Sequence, residues 1–116
     1  MNKHQFKFAQ DVMALMLFIW ENGWRVSFGE AFRPQEMQEI YLEQGKTKTL
    51  DSYHAKRLAI DFNFFKPDGN KFSLTYRKSE LQMFGDYWES LDPLNKWGGN
   101  WKFVDTPHFE RRVTSL

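Results

Sequence analysis

"LAIDFNFF", residues 58–65, alternates two kinds of side chain from Leu58 to Phe64. One set of alternate positions is large and apolar: Leu58, Ile60, Phe62 and Phe64. The other set is smaller or polar: Ala59, Asp61 and Asn63. This period of two predicts a β-strand with one face against a core, and it places a carboxylate on the opposite face.

The segments before this strand predict a helix, a second strand and a further helix. Residues 7–21 carry an apolar stripe at helical spacing, formed by Phe8, Val12, Leu15 and Ile19. Gly23 suits a left-handed position that ends this helix. The stretch WRVSF, residues 24–28, alternates again and predicts a half-buried strand. Residues 32–45 predict a short helix with Pro34 in its first turn.

The segments after it predict more short elements. KPDGN, residues 66–70, reads as a turn, and FSLTY, 72–76, as a short strand. Residues 79–91 have helical spacing with Ser79 as the cap, 92–107 form a loop, and HFERRV, 108–113, is a last strand. We therefore expect one α+β domain over 1–116, with a small antiparallel sheet and helices packed to one side.

Composition excludes several classes of function. The chain has 116 residues, no cysteine and a formal net charge of +1, so disulfides and thiolate metal sites are excluded and nothing indicates nucleic acid. The apolar run at 12–20 is shorter than the roughly 20 residues that span a bilayer. Because ENGWR follows that run in place of a cleavage site, we expect no signal peptide and synthesis in a cytoplasm.

Two residues seven positions apart and a third far along the chain form a possible metal-binding set. His54 lies on the predicted loop that enters the strand bearing Asp61, and His108 begins the last predicted strand. Two imidazoles and a carboxylate are a three-ligand set for catalytic zinc, which leaves a fourth position for water. Asp105 could then serve as base, and Arg33 could bind a carboxylate or an oxyanion. Structural or surface pairing is the alternative, since a His and an Asp at this spacing occur together often by chance.

Two motifs at these residues resemble a known family. SYHAKRLAID matches S-x-H-x-x-G-x-A-x-D at positions 52, 54, 59 and 61, and 97–110 matches W-G-G-x-W-x-x-x-D-x-P-H-F-E throughout. EAFRPQEMQ resembles the segment that supplies the family's arginine. From about residue 24 to 110 the chain resembles the zinc D-alanyl-D-alanine carboxypeptidases of the hedgehog/DD-peptidase superfamily. It is most similar to their bacteriophage endolysin branch, the L-alanyl-D-glutamate peptidases.

The resemblance implies a role for each matched residue. It implies zinc (Zn2+) held by His54, Asp61 and His108, with Asp105 as general base. It implies Arg33 near the substrate carbonyl or carboxylate, and Ser52 and Glu110 as supporting residues near substrate and ligands. Arg57 stands where the family usually has glycine, which bears on the loop geometry but leaves the ligands unchanged.

The resemblance also implies a function with two alternatives. We expect a monomeric endopeptidase that hydrolyses peptidoglycan stem peptides between L-alanine and D-glutamate during phage lysis. It would be made in the host cytoplasm and reach the wall in the periplasm through a holin. A D-alanyl-D-alanine carboxypeptidase or dipeptidase, and a non-catalytic zinc-binding module, are the alternatives. Trp97 and Trp101 are interpreted as core anchors beneath the site, with a substrate-groove wall as the second interpretation.

Overall fold

The computed structural model describes residues 2–29 and 58–113. Its elements, in chain order, are the helix α1 (Asn2–Glu21), the strands β1 (Arg25–Phe28), β2 (Ala59–Asp68) and β3 (Lys71–Thr75), the helix α2 (Lys78–Leu91), the strand β4 (Asn95–Trp97), a 3-10 turn (Gly98–Asn100) and the strand β5 (His108–Arg111). The predictions for the helix at 32–45 and for Arg33, Ser52, His54 and Arg57 lie outside the described residues.

The long strand β2 is the centre of an antiparallel sheet. Phe64 and Phe65 pair with β1 and with β3 at once, so these two strands flank the second half of β2. The first half, residues 59–61, pairs with β5, and β5 pairs in turn with β4. The small antiparallel sheet predicted from the sequence is thus confirmed, with every described pairing antiparallel.

A largely aromatic core lies between the sheet and the two described helices. Leu58, Ile60, Phe62 and Phe64 are all buried, as the alternation predicts. The helices contribute the other buried apolar side chains, among them Leu15, Ile19, Leu81, Phe84 and Trp88. Phe64 stacks on Phe84 with ring centroids 5.3 Å apart. The opposite face of β2 and β5 carries the polar side chains of Asp61, Asn63, His108 and Glu110.

Three details of the sequence prediction are wrong. Lys66–Asp68 continue β2 instead of forming a turn, and Pro67 is tolerated because only β3 pairs with the strand at that point. Residues 95–97 form β4 inside the segment predicted as loop. Ser79 is not the cap of α2, whose N-cap is Arg77. Arg77 lies two positions before Ser79, and the Thr75 hydroxyl supports this first turn by donating a hydrogen bond to Glu80 Oε1 at 2.7 Å.

The apolar stripe of α1 also carries one buried carboxylate. Phe8, Leu15 and Ile19 are buried as predicted, and Asp11 is buried with them. Asp11 accepts a hydrogen bond from the Asn95 amide at 3.0 Å and forms an ion pair with Lys7. This contact ties α1 to the start of β4. Within the described residues, neither helix is long and apolar enough to cross a membrane.

Candidate active site

The pairing of β2 with β5 brings Asp61 and His108 face to face. The two residues are direct cross-strand partners although they are 47 positions apart. Cross-strand partners project to the same side of a sheet, here the side opposite Phe62 and the aromatic core. His108 Nδ1 lies 3.0 Å from Asp61 Oδ1. The same alternation that buries the core residues therefore also places the His108 imidazole and the Asp61 carboxylate next to each other.

His108 is held between two carboxylates. Its second ring nitrogen, Nε2, lies 2.7 Å from Glu110 Oε1, two residues further along β5 on the same face. Burial opposes protonation of the ring, but the hydrogen bonds and charges of Asp61 and Glu110 outweigh it and raise the pKa of His108 to about 9. The environment of this imidazole thus favours a positive charge between the two acids, whether a proton or a bound cation supplies it.

Glu110 is in turn fixed by Arg112. The Arg112 Nε donates to Glu110 Oε2 at 2.8 Å, so both carboxylate oxygens are engaged. Burial favours the neutral acid, yet the hydrogen bonds and charges of His108 and Arg112 lower the pKa of Glu110 below its usual value. The Arg112 guanidinium lies 5.4 Å from the centre of the Trp101 ring, whose centroid is 5.1 Å from that of His108. Glu110 and Trp101 thus lie against the imidazole, and Arg112 lies against both of them.

A tight turn places Asp105 beside this pair. The Asp105 carbonyl accepts a hydrogen bond from His108 N at 3.2 Å, and Asp105 N donates to the Gly98 carbonyl at 2.9 Å. Trp97, fully buried, donates from Nε1 to the Thr106 carbonyl at 2.8 Å and anchors the same loop. Partial burial raises the pKa of the Asp105 carboxyl, and the charge of Asp61 raises it further while His108 opposes this.

The structure brings together four of the seven predicted site residues: Asp61, Asp105, His108 and Glu110. The other three, Arg33, Ser52 and His54, lie outside the described residues. Within 2–29 and 58–113 no group of three His, Asp or Glu side chains has metal-binding geometry. The predicted set of ligands is therefore represented here by Asp61 and His108, the two members inside those ranges.

The two tryptophans of this loop take different positions. Trp97 is a core anchor, whereas Trp101 is only half-buried and packs beside the His108 ring, which fits the second interpretation, a wall of the site. Arg112 was missed. A signal for it was present, because the period of two from His108 through Glu110 continues to position 112.

Comparison with known proteins identifies a peptidase family and two relatives that are named as peptidases. The model of the D-alanyl-D-alanine carboxypeptidase family matches residues 45–111. The L-alanyl-D-glutamate peptidase of Listeria phage A118 is 33% identical over 90 residues, which are 77% of this chain and 31% of that protein. The peptidoglycan L-alanyl-D-glutamate endopeptidase CwlK of Bacillus subtilis (strain 168) is 31% identical over 115 residues, covering 87% of this chain and 69% of CwlK.

A solved structure shows the same fold. The L-Ala D-Glu endopeptidase ChiX of Serratia marcescens superposes with a TM-score of 0.61 at 24% identity, over 75% of this chain and 66% of that one. The chain therefore shares the α+β fold of that endopeptidase. The chain belongs to the D-alanyl-D-alanine carboxypeptidase family, whose model spans more than half of it. It spans about a third of the length of the phage relative.

Proposed function

We propose that this chain is a zinc-dependent endopeptidase that cleaves peptidoglycan stem peptides between L-alanine and D-glutamate. The observation that carries the proposal is the His108 imidazole, held by Glu110 at one nitrogen and aimed at Asp61 with the other. The relatives from Listeria phage A118 and Bacillus subtilis, both named for this bond, support the choice of substrate.

The described residues fit a zinc ion in their donor atoms and spacing. Imidazole nitrogen and carboxylate oxygen are both common zinc ligands, and two ligands of one tetrahedral ion lie about 3.3 Å apart. His108 Nδ1 and Asp61 Oδ1 are 3.0 Å apart. A ligating histidine usually donates its other N–H to a carboxylate, which is the place that Glu110 takes. His54 remains the predicted third ligand.

The chain's own residues account for the proton transfers. When bound, zinc would polarise the scissile carbonyl and make a water molecule more acidic. Asp105 takes the proton of the attacking water and later gives it to the leaving amine. In the metal-free protein the pKa of Asp105 is raised above that of an ordinary aspartate, chiefly by desolvation of its carboxyl. Trp101 covers one side of His108, and Arg33 is predicted to stabilise the developing negative charge.

The cellular setting belongs to the same proposal. We infer a monomeric endolysin, made in the cytoplasm of a bacterial host and acting on the wall in the periplasm after holin-type release. The relative from a Listeria phage supports the link to phage lysis. Size-exclusion chromatography with light scattering tests the monomer, and lysis of cells that co-express a holin tests the route.

Product analysis of digested peptidoglycan tests the bond. Purified peptidoglycan is incubated with the zinc-loaded chain, and the fragments are identified by mass spectrometry after labelling of new amino termini. New N-terminal D-glutamate is the expected product. Free D-alanine would instead show a D-alanyl-D-alanine carboxypeptidase, the activity for which the family is named. No product of either kind, with zinc bound, would indicate the non-catalytic module.

The role of Asp105 is tested separately from the metal. Asp105→Ala removes the proposed base and leaves Asp61 and His108 in place. We expect unchanged zinc content and a loss of turnover of about 10²–10⁴-fold, the usual contribution of a general base. Zinc content is measured by atomic emission and turnover by product release. Full activity of the zinc-loaded variant would remove Asp105 from the mechanism.

A further inference from the structure

A polar cluster lies on the same sheet face as the candidate site, one step along β2. Asn63 follows Asp61 by two positions and therefore projects to the same side of the strand, about 7 Å further along. Tyr76 donates its hydroxyl to Asn63 Oδ1 at 2.9 Å, and Asn63 Nδ2 donates to Ser27 Oγ at 3.3 Å. The three side chains come from β2, from β1 and from the segment after β3.

The cluster leaves part of the Asn63 amide available. A primary amide has two N–H donors and two acceptor lone pairs. Among residues 2–29 and 58–113, Ser27 takes one donor and Tyr76 fills one lone pair, which leaves one of each without a partner there. Both hydrogen bonds lie in an exposed part of the surface. A donor and an acceptor side by side match the C=O and N–H of a peptide group.

The same cluster is attached to the loop that carries Asp105. Thr106 donates its hydroxyl to the Tyr76 carbonyl at 2.7 Å, so Tyr76 holds Asn63 through its side chain and that loop through its backbone. Asparagine is also among the residues that strands disfavour, yet Asn63 lies in the middle of β2. A residue chosen only for sheet stability at this half-buried position would be β-branched or aromatic.

We propose that Asn63, oriented by Ser27 and Tyr76, is a substrate-binding residue that hydrogen-bonds to a backbone peptide group of the stem peptide. An extended peptide advances about 3.4 Å per residue, so a chain lying over Asp61 and His108 brings a peptide group two residues away over Asn63. The proposal rests on the proposed function, because it takes the Asp61–His108 pair as the place of cleavage.

Kinetics on a soluble stem peptide separate binding from a structural role. Asn63→Ala is expected to raise KM and lower kcat/KM about tenfold, as for one lost hydrogen bond, with kcat and zinc content unchanged. Tyr76→Phe keeps the amide but loses its orientation and should show a smaller rise in KM. Ser73→Ala is the matched control, because it removes one exposed side-chain hydrogen bond, to Asp68, away from the site. An unchanged KM in Asn63→Ala together with a lowered melting temperature would overturn the proposal.

A binding measurement keeps this proposal distinct from the proposed function. The ¹⁵N-labelled full chain, as the Asp105→Ala variant, is titrated with a synthetic stem peptide containing the L-alanyl-D-glutamate bond. The Asn63 side-chain amide signal should shift saturably, while those of Asn22 and Asn70 stay in place. If the wild type cleaves nothing but this shift occurs, the proposed function fails and the binding role stands. If the wild type cleaves and the Asn63 signal does not move, the binding role is wrong and the function stands.

Discussion

Replacing Gly98 by alanine tests whether the turnover rate depends on the close contact between the 3-10 turn and the loop that carries Asp105. A Cβ atom at position 98 would stand 2.2 Å from the Asp105 carbonyl oxygen and 3.1 Å from the Asp105 Cβ. The loop must move away by about 1 Å to reach an ordinary contact distance. The Asp105 carbonyl that would have to move also accepts the hydrogen bond from His108 N. Its movement would therefore change the position of the Asp105 carboxylate relative to the His108 imidazole.

The expected result is a loss of turnover larger than the loss of stability would explain. A misplacement of about 1 Å can cost on the order of 10²-fold in rate, and the overpacking itself about 1–3 kcal/mol in the free energy of unfolding. Gly69→Ala is the control, because Gly69 has a φ of +63° with open space around it. It should lose a similar 1–2 kcal/mol or so through backbone strain, far from the site.

The assay compares kcat on a stem peptide, zinc content and urea unfolding for the two variants and the wild type. We expect Gly69→Ala to keep its kcat and Gly98→Ala to lose most of it while both bind zinc. If Gly98→Ala turns over as fast as Gly69→Ala at equal stability, then the position of Asp105 does not limit the rate and the reasoning from this contact is wrong.

Three further results are expected. Glu110→Gln removes the charge that holds His108 and should weaken zinc binding about 10–100-fold, measured by competition with a chromophoric chelator, and wild-type affinity would contradict this. In the metal-free protein the pKa of His108 is raised to about 9, so its stabilising contribution is present below pH 6.5 and is lost as the pH rises through 9. Urea unfolding at pH 6 and pH 10 should show this loss in the wild type and not in His108→Gln. Gly85→Ala puts a Cβ 2.1 Å from the Trp97 ring and should lower the free energy of unfolding by about 1–3 kcal/mol or more, seen in thermal melts; an unchanged melting temperature would mean that the ring can move aside.

Sequence reasoning succeeded where one physical signal ran over several residues. The period of two in 58–64 predicted the strand, its buried face and the outward position of Asp61. The strand β4 could not be predicted this way, because residues 95–97 are too few to show a period and the strand depends on pairing with β5. The sequence could not distinguish the positions of Trp97 and Trp101, because the two residues flank the same pair of glycines. Only the packing shows that Trp97 is buried in the core and that Trp101 lies beside His108.

The register of β2 against β5 links the stability of the core to the geometry of the site. Asp61 opposes His108 in the same pairing in which Ile60 opposes Phe109, and the latter two side chains are buried on the other face. A slip of one residue would turn Phe62 and Phe64 toward solvent and Asp61 into the aromatic core, so burial of these two rings fixes the pairing. The core residues therefore position Asp61 and His108 through the strand register, which requires no contact with either side chain. Substitutions that keep its large rings buried should leave the Asp61–His108 distance intact even where they lower stability.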